Sequence, residues 1–384
     1  MAWFSGKKDE REIRRLIGML RESDSSKRNE AARQLLALGA NAAPGLVAAL
    51  GSNDPALGKF VPQILVRMGA VAIPALTEGI RSGDPSIQVQ AAVLLGEIND
   101  HSVLPILLKI LPSKNYKVQV AAAQALAKIG DASVMPHLLN TLSDEDPDVR
   151  IAVVQAIGTF NDPDTYLHIA DLLDDPEINV RKAAAQVLAA TDDPSVAPYL
   201  VDALYDSFWW YGREEAITLL LEAIRKFGAY AYEPLVKAMR AKEPTVRQFA
   251  ISLLAPLKDP RSLEAIEMAF YDPNYDVAGM AAKALIAYGE RTMPIFAEAL
   301  NSPNEWINLT AIQSIAEIGG EQALDLLLPE LVDQNEKIRA ATITALGALK
   351  DRRALPALNE LAANREEREI SKLARQAIAA IEAS

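Results

Sequence analysis

The sequence predicts an all-α protein, an α-solenoid of about twelve stacked helix pairs. Three observations indicate this fold: a period near 31 residues, Ala/Leu-rich segments of helical length, and a polar turn at the same place in each period. Successive turn positions are 30 or 31 residues apart, with one step of 36. The turn positions are Asp24, Asp54, Asp84, Asn115, Asp146, Glu177, Arg213, Glu243, Asn274, Asn304 and Asn335.

Each period contains a short first helix, the turn, a longer second helix and a Gly, Asn or Asp break. The first helices open near a proline, which is tolerated in the first turn of a helix. The second helices carry apolar residues at a spacing of three to four, as at Val149, Val153, Ala156 and Phe160. With a terminal helix near residues 8–20 and another near 367–382, we expect one solenoid over residues 1–384, with an irregular repeat near 199–232. The prolines are Pro44, Pro74, Pro105, Pro136, Pro198, Pro234, Pro294 and Pro356.

The turn position and the fourth residue after it, here called the ladder position, form two polar columns. Asp146 with Arg150, and Glu243 with Arg247, repeat the same acid–arginine spacing. We interpret the acids as helix caps and each acid–arginine couple as an i,i+4 ion pair that helps tie one repeat to the next. Because the pattern recurs along the chain, a catalytic pair is the less economical interpretation.

The unit "DPDVRIAVVQAIGTFND", which starts at Asp146, resembles HEAT repeats of the short kind found in phycobilisome-lyase-type HEAT-like proteins. The resemblance covers nearly the whole chain. It implies the solenoid fold and leaves the function open, because such repeats serve many tasks. It also makes a phycobilin-lyase-like or other tetrapyrrole-handling protein the alternative to an interaction scaffold.

Composition excludes several kinds of site. The 384 residues include no cysteine, which removes disulfides, thiolate nucleophiles and cysteine-ligated metals. The net charge is −12, and the basic excess at the two ends leaves the body more acidic still, so we expect no nucleic-acid partner. No run of 18 apolar residues occurs and the start lacks signal-peptide features, so we expect a cytoplasmic protein with no integral membrane segment. Trp3 and Phe4 are expected to cover the first helix.

Known enzymes with HEAT-like scaffolds need catalytic or metal-binding residues that this sequence lacks. Deoxyhypusine hydroxylases bind iron through His-Glu pairs, and epoxyqueuosine reductases need cysteines. HEAT-like DNA glycosylases need an acid in a basic cleft; Glu214 or Glu215 could supply the acid, but no basic cleft is evident. We therefore expect no catalytic residue, no metal and no cofactor. The residues that follow the three histidines are Ser102, Leu138 and Ile169.

His137 and His168 are 31 residues apart and occupy equivalent positions in adjacent repeats. Two histidines alone would not complete a metal site. Each lies between the apolar positions of its first helix, so we expect both side chains to face solvent.

An aromatic stretch coincides with the 36-residue step. Four aromatic residues, Phe208, Trp209, Trp210 and Tyr211, precede Arg213, which replaces the usual capping acid. They either fill a gap in the broken repeat, with Tyr230 and Tyr232 beneath them, or anchor a partner. Neighbouring tryptophans cannot both face inward, so we expect one to be buried and one presented.

A column of amides lies opposite the apolar stripe of the second helices, on the face that usually lines the concave surface of such solenoids. Gln124, Gln155 and Gln186 belong to it. An amide donates and accepts hydrogen bonds, so this row could hold an extended peptide. The alternative is that glutamine is simply a good solvated helix former. The sequence thus predicts a non-catalytic scaffold that binds a protein or peptide in its groove, with residues 205–215 as an anchor; the partner and the oligomeric state stay open.

Overall fold

A computed structural model describes residues 5–364 and 366–383, with side chains from residue 10 onward. Trp3 and Phe4 lie outside the described residues. The contacts divide the chain into two compact units, Met1–Val196 and Ala197–Ser384. Within the described residues all regular structure is helical, which confirms the all-α solenoid. The division falls where the irregular repeat begins, and the expectation of one solenoid domain stays a prediction.

The first unit contains six helix pairs; from the second pair onward a short first helix precedes a longer second helix, whereas the two helices of the first pair are of similar length. Its first helices are α1 Ser5–Met19, α3 Ala43–Ala49, α5 Ile73–Ile80, α7 Leu104–Ile110, α9 Met135–Thr141 and α11 Tyr166–Asp171. Its second helices are α2 Ser25–Leu38, α4 Pro55–Met68, α6 Pro85–Ile98, α8 Tyr116–Ile129, α10 Pro147–Gly158 and α12 Ile178–Ala190.

The second unit repeats this arrangement. Its first helices are α13 Ala197–Asp202, α15 Tyr232–Ala238, α17 Ser262–Phe270, α19 Met293–Ala299, α21 Glu321–Leu327 and α23 Leu355–Ala363. Its second helices are α14 Glu214–Phe227, α16 Pro244–Leu254, α18 Tyr275–Ile286, α20 Glu305–Ile318, α22 Glu336–Leu349 and α24 Arg368–Glu382.

Most turn positions cap the second helix, as the sequence predicts. The Asp146 side chain accepts a hydrogen bond from the backbone N–H of Asp148, and Asn274 accepts from two N–H groups. Short Asp and Asn side chains satisfy N–H groups that would otherwise lack a partner at a helix start. Glu177, Arg213 and Glu243 make no such bond, since their longer side chains do not fold back onto the first turn.

The ion pairs differ from the sequence prediction. Arg150 does not pair with Asp146; its guanidinium binds the carboxylate of Asp175 in the next repeat through Nε–Oδ2 2.7 Å and Nη2–Oδ1 2.8 Å. Arg247 binds Asp272 at the same separation of 25 residues. The predicted i,i+4 pairs are therefore wrong, because each guanidinium lies between the carbonyl groups of its own turn and the carboxylate of the following turn, rather than against the cap side chain. The ladder still joins repeats, as expected.

Close contacts between second helices depend on glycine at three equivalent positions. A Cβ on Gly96 would lie 2.8 Å from Ala125 Cα, and one on Gly347 would lie 3.0 Å from Ala377 Cα. A Cβ on Gly158 would lie 2.5 Å from a methyl group of Val187. At these points each second helix approaches the next more closely than alanine would allow.

One described stretch, Pro55–Ile80, is long and apolar enough to cross a membrane by length and composition alone. In the structure this stretch is two helices, α4 and α5, separated by a 3₁₀ turn in which Gly69 has a φ of +57°. Leu65 and Leu76 of these helices are fully buried in the first unit. A single stretch of this kind is weak evidence for a membrane span.

Candidate functional site

A groove crosses the exposed face of second helices α6, α8 and α10 in the first unit. Its volume is about 390 Å³. Apolar side chains form much of its wall, and Val93 is 37% exposed although it lies on a central helix. We call it the second-helix groove. Its lining residues include Val89, Val93, Val120, Ile151, Gln124 and Gln155.

The predicted glutamines lie on this face. Gln124 and Gln155 are exposed and line the second-helix groove one repeat apart. Gln186 is exposed at the equivalent position of α12 and does not line that groove. Their exposure follows from the sequence, because the stripe on the opposite side of each helix is buried: Val149 and Val153 of α10 are inaccessible to solvent.

The groove rim carries side chains that sequence reasoning did not single out. Tyr116 is 40% exposed, and the ammonium of Lys117 lies 5.8 Å from the centre of the Tyr116 ring. Asp148 stands on α10 at the position equivalent to Lys117 on α8. These residues occupy the first turns of second helices, so an exposed residue one or two places after the turn position is the signal that would have identified them.

A second cavity, of about 470 Å³, adjoins the second-helix groove and shares Val89 and Lys117 with it. It lies over the first turns of α4 and α6, where Pro55 and Pro85 begin their helices. Gly58 occupies the ladder position at this cavity. The two cavities together form a continuous surface over four second helices.

The two adjacent tryptophans of the aromatic stretch, in the second unit, differ in burial. Trp209 is fully buried, whereas Trp210 is half-buried. The Trp210 indole Nε1 donates to the carbonyl oxygen of Leu204 at 3.1 Å, and its ring lies edge-to-face with Phe249 at a centroid distance of 6.5 Å. Phe249 is on α16, one repeat further along, and is itself partly exposed. No sequence pattern singles out Phe249, because the contact joins two repeats.

In the rest of the stretch, Phe208 stacks on Arg213 and the ring of Tyr211 is exposed to solvent. The Arg213 guanidinium lies 3.9 Å from the centre of the half-buried Phe208 ring, and its Nη1 donates to the Phe208 carbonyl oxygen at 3.2 Å. Tyr211 is 79% exposed. Tyr232 is buried with the Arg261 guanidinium 4.1 Å from its ring centre, whereas Tyr230 is 69% exposed and is therefore not a buried filler of the gap.

The histidines stand apart from both surfaces. His137 and His168 are exposed on their first helices. His101 Nδ1 lies 2.9 Å from Asp131 Oδ2 one repeat on. Hydrogen bonds from Ser133 and from His101 lower the pKa of Asp131 to about 2. Within residues 10–364 and 366–383, no group of three or more His, Cys, Asp or Glu side chains is placed to hold a metal ion.

Solved structures with a similar fold include the karyopherin Kap121p. The chain matches Kap121p bound to the extreme C-terminus of the protein phosphatase Cdc14p with a TM-score of 0.56 and 14% identity, covering 97% of this chain and 50% of that chain. It matches Kap121p bound to Ste12p with a TM-score of 0.55 and 14% identity, covering 99% of this chain and 50% of that chain. A structure of Kap95p with RanGDP matches with a TM-score of 0.50 and 12% identity, covering 96% of this chain and 59% of that chain. The chain thus spans roughly half the length of these proteins, and at such identity the likeness shows the fold alone.

Sequence comparison identifies the family. No curated protein sequence matches the chain. The family model for HEAT repeats matches residues 73–142, 135–221 and 292–379, which together make up more than half of the chain. These segments contain seven of the eleven turn positions, from Asp84 to Arg213 and then Asn304 and Asn335. The chain therefore belongs to the HEAT-repeat family.

Proposed function

We propose that this protein is a non-catalytic interaction scaffold that binds an extended segment of a partner protein along its second helices. The observation that carries the proposal is the second-helix groove, where apolar side chains and the exposed amides of Gln124 and Gln155 line one channel. Apolar pockets take up alternate side chains of a bound segment, and amides pair with its backbone. The karyopherin structures of similar fold include complexes with Ste12p and with the Cdc14p C-terminus, which supports a protein ligand for this chain as well.

Residues 205–215 are proposed as a second contact, on the other unit. Tyr211 offers an exposed ring, and Trp210 with Phe249 forms an aromatic ledge whose geometry is held by the Trp210–Leu204 hydrogen bond. Aromatic side chains that are already ordered lose little entropy when a partner docks on them. Phe208 and Arg213 stack on each other within the same stretch, while Trp209 is fully buried.

Two exposed valines of the first unit provide a matched test. Val93 lines the groove at 37% exposure, and Val71 is 47% exposed in the turn before α5, away from the groove. Val93→Glu should weaken partner capture by about tenfold or more, because a buried interfacial charge without a partner is costly. Val71→Glu should leave capture unchanged, and both variants should keep the wild-type Tm. Equal capture by the two variants would refute the groove as the binding surface.

The alternative function is handling of a flat ligand such as a tetrapyrrole, as phycobilisome-lyase-type relatives would imply. The half-exposed Trp210, Phe249 and the exposed Tyr211 favour it, because flat conjugated rings stack on aromatic side chains. An absorbance titration with a bilin or haem should then show a spectral change that Trp210→Ala abolishes. No spectral change on titration would eliminate the alternative. A cytoplasmic location and the absence of enzymatic activity stay part of the proposal.

A further inference from the structure

In most repeats the ladder side chain donates hydrogen bonds to backbone carbonyl oxygens just before its own second helix. Gln88 Nε2 donates to the carbonyl oxygens of Ile80 at 3.0 Å and Ser82 at 2.8 Å, where the preceding first helix ends. Arg150 Nη1 donates to the carbonyl oxygens of Asp144 at 2.7 Å and Glu145 at 3.1 Å. Ile80 is the last residue of α5, whereas Ser82, Asp144 and Glu145 lie in the turn that follows a first helix. Carbonyl groups at and just beyond a helix end have no partner within the helix, so the ladder side chains supply donors to them.

One repeat has a glycine at this position. A Cβ on Gly58 would meet no atom within 4 Å, and the residue opens into the cavity of about 470 Å³. Leu50 and Ser52 precede Gly58 by the same eight and six residues that separate Ile80 and Ser82 from Gln88. Both residues line the cavity. The end of α3 therefore meets open space where Gln88 covers the end of α5.

The cavity is rich in hydrogen-bond acceptors. Asn53 and Asn115 add amide groups to the wall. Lys117 is the cation of the lining, and it lies on α8 at the border with the second-helix groove. The backbone carbonyl groups and amide side chains of this lining suit a planar group with several N–H donors.

We propose that the Gly58 cavity receives the guanidinium of an arginine side chain from the bound partner segment, which takes the place of the missing ladder residue. The partner segment rests on the proposed function; the guanidinium site rests on this cavity alone. A planar guanidinium can donate to two carbonyl oxygens at once, as Arg28 does to Glu22 at 2.7 Å and Ser23 at 2.6 Å. Lysine occurs at no ladder position of this chain.

Small probes test the site directly. N-acetyl-arginine amide, titrated into the uniformly ¹⁵N-labelled full chain, should shift the amide resonances of Gly51, Asn53 and Gly58 in a saturable manner. N-acetyl-lysine amide is the control and should bind at least about tenfold more weakly. Equal shifts with both probes, or no saturable shift with arginine, would overturn the proposal.

Substitution at the cavity separates this site from the groove. Gly58→Arg should fill the cavity from within the chain, raise the Tm and reduce affinity for N-acetyl-arginine amide by about tenfold or more. Gly58→Ala, which leaves the cavity open, should keep that affinity. If Gly58→Arg lowers the Tm, Gly58→Gln replaces it as the filling variant, by analogy with Gln88. If Gly58→Arg or Gly58→Gln folds and still binds N-acetyl-arginine amide, the proposal is contradicted. If Val93→Glu loses partner capture but still binds the probe, the result concerns the second-helix groove and not the Gly58 cavity.

Discussion

The guanidinium of Arg150 binds the carboxylate of Asp175 through two parallel hydrogen bonds of 2.7 and 2.8 Å, across the boundary between two repeats. Both side chains are buried, at 9% and 5% exposure. Hydrogen bonding to Asp175 and its negative charge raise the pKa of Arg150, while burial opposes them. The same arginine also covers two carbonyl oxygens of its own turn, so one side chain joins three backbone segments.

Removal of this arginine should be costly. Arg150→Ala leaves the buried Asp175 carboxylate without its counter-ion, and we expect a loss of about 3–5 kcal/mol in the free energy of unfolding. The control is Arg14→Ala, whose pair with Glu10 is exposed and should matter by less than about 0.5 kcal/mol. Urea denaturation measures both. A cost for Arg150→Ala as small as that for Arg14→Ala would show that the ladder contributes little to stability.

Glycine at the helix crossings should be needed for packing. Gly96→Ala puts a methyl group against the Ala125 backbone, and we expect it to destabilise the protein by about 1–3 kcal/mol. Gly58→Ala places its methyl group in open space within a helix and should stabilise by about 0.5–1 kcal/mol. Opposite signs of the two Tm changes are the expected result; a stabilising Gly96→Ala would refute the close approach of α6 and α8.

The Asp131 carboxyl should titrate well below an ordinary aspartate. Its pKa of about 2 in the folded protein lies under the reference value of 3.8, owing first to Ser133 and then to His101. The lowered pKa favours folding above about pH 4, and this contribution is lost as the pH falls toward 2. Carboxyl ¹³C titration should find the low midpoint, and Ser133→Ala should raise it more than His101→Ala does. A midpoint near 4 in the wild type would contradict the geometry.

The two adjacent tryptophans should respond differently to truncation. Trp209→Ala removes a fully buried ring and should cost about 3–5 kcal/mol. Trp210→Ala loses one neutral hydrogen bond and one edge-to-face contact, so we expect a smaller cost, about 1–3 kcal/mol. If the stretch anchors a partner, Tyr211→Ala should weaken binding without a change in Tm, whereas Tyr230→Ala, an exposed tyrosine outside the stretch, should not. Equal binding by both tyrosine variants would leave the stretch with a packing role.

Features within one repeat could be predicted from the sequence, and those between repeats could not. The caps at Asp146 and Asn274 follow from residue type and spacing, because a cap contacts its own first turn. The partner of Arg150 lies 25 residues away, so it depends on how neighbouring turns meet. The Trp210–Phe249 contact is of the same kind. Exposure of Gln124 and Gln155 was predictable from helical periodicity, while the cavity at Gly58 required knowledge of what the other ladder residues do.

Site-specific photo-crosslinking tests the central claim, that the second-helix groove binds an extended partner segment, most directly. A benzophenone amino acid is placed at Gln124, at Gln155 and, as the control, at exposed Val71 outside the groove. We predict that Gln124 and Gln155 crosslink to neighbouring residues of one partner segment and that Val71 does not. Crosslinks from Val71 as abundant as those from the two groove positions, or groove crosslinks scattered over unrelated proteins, would contradict the account.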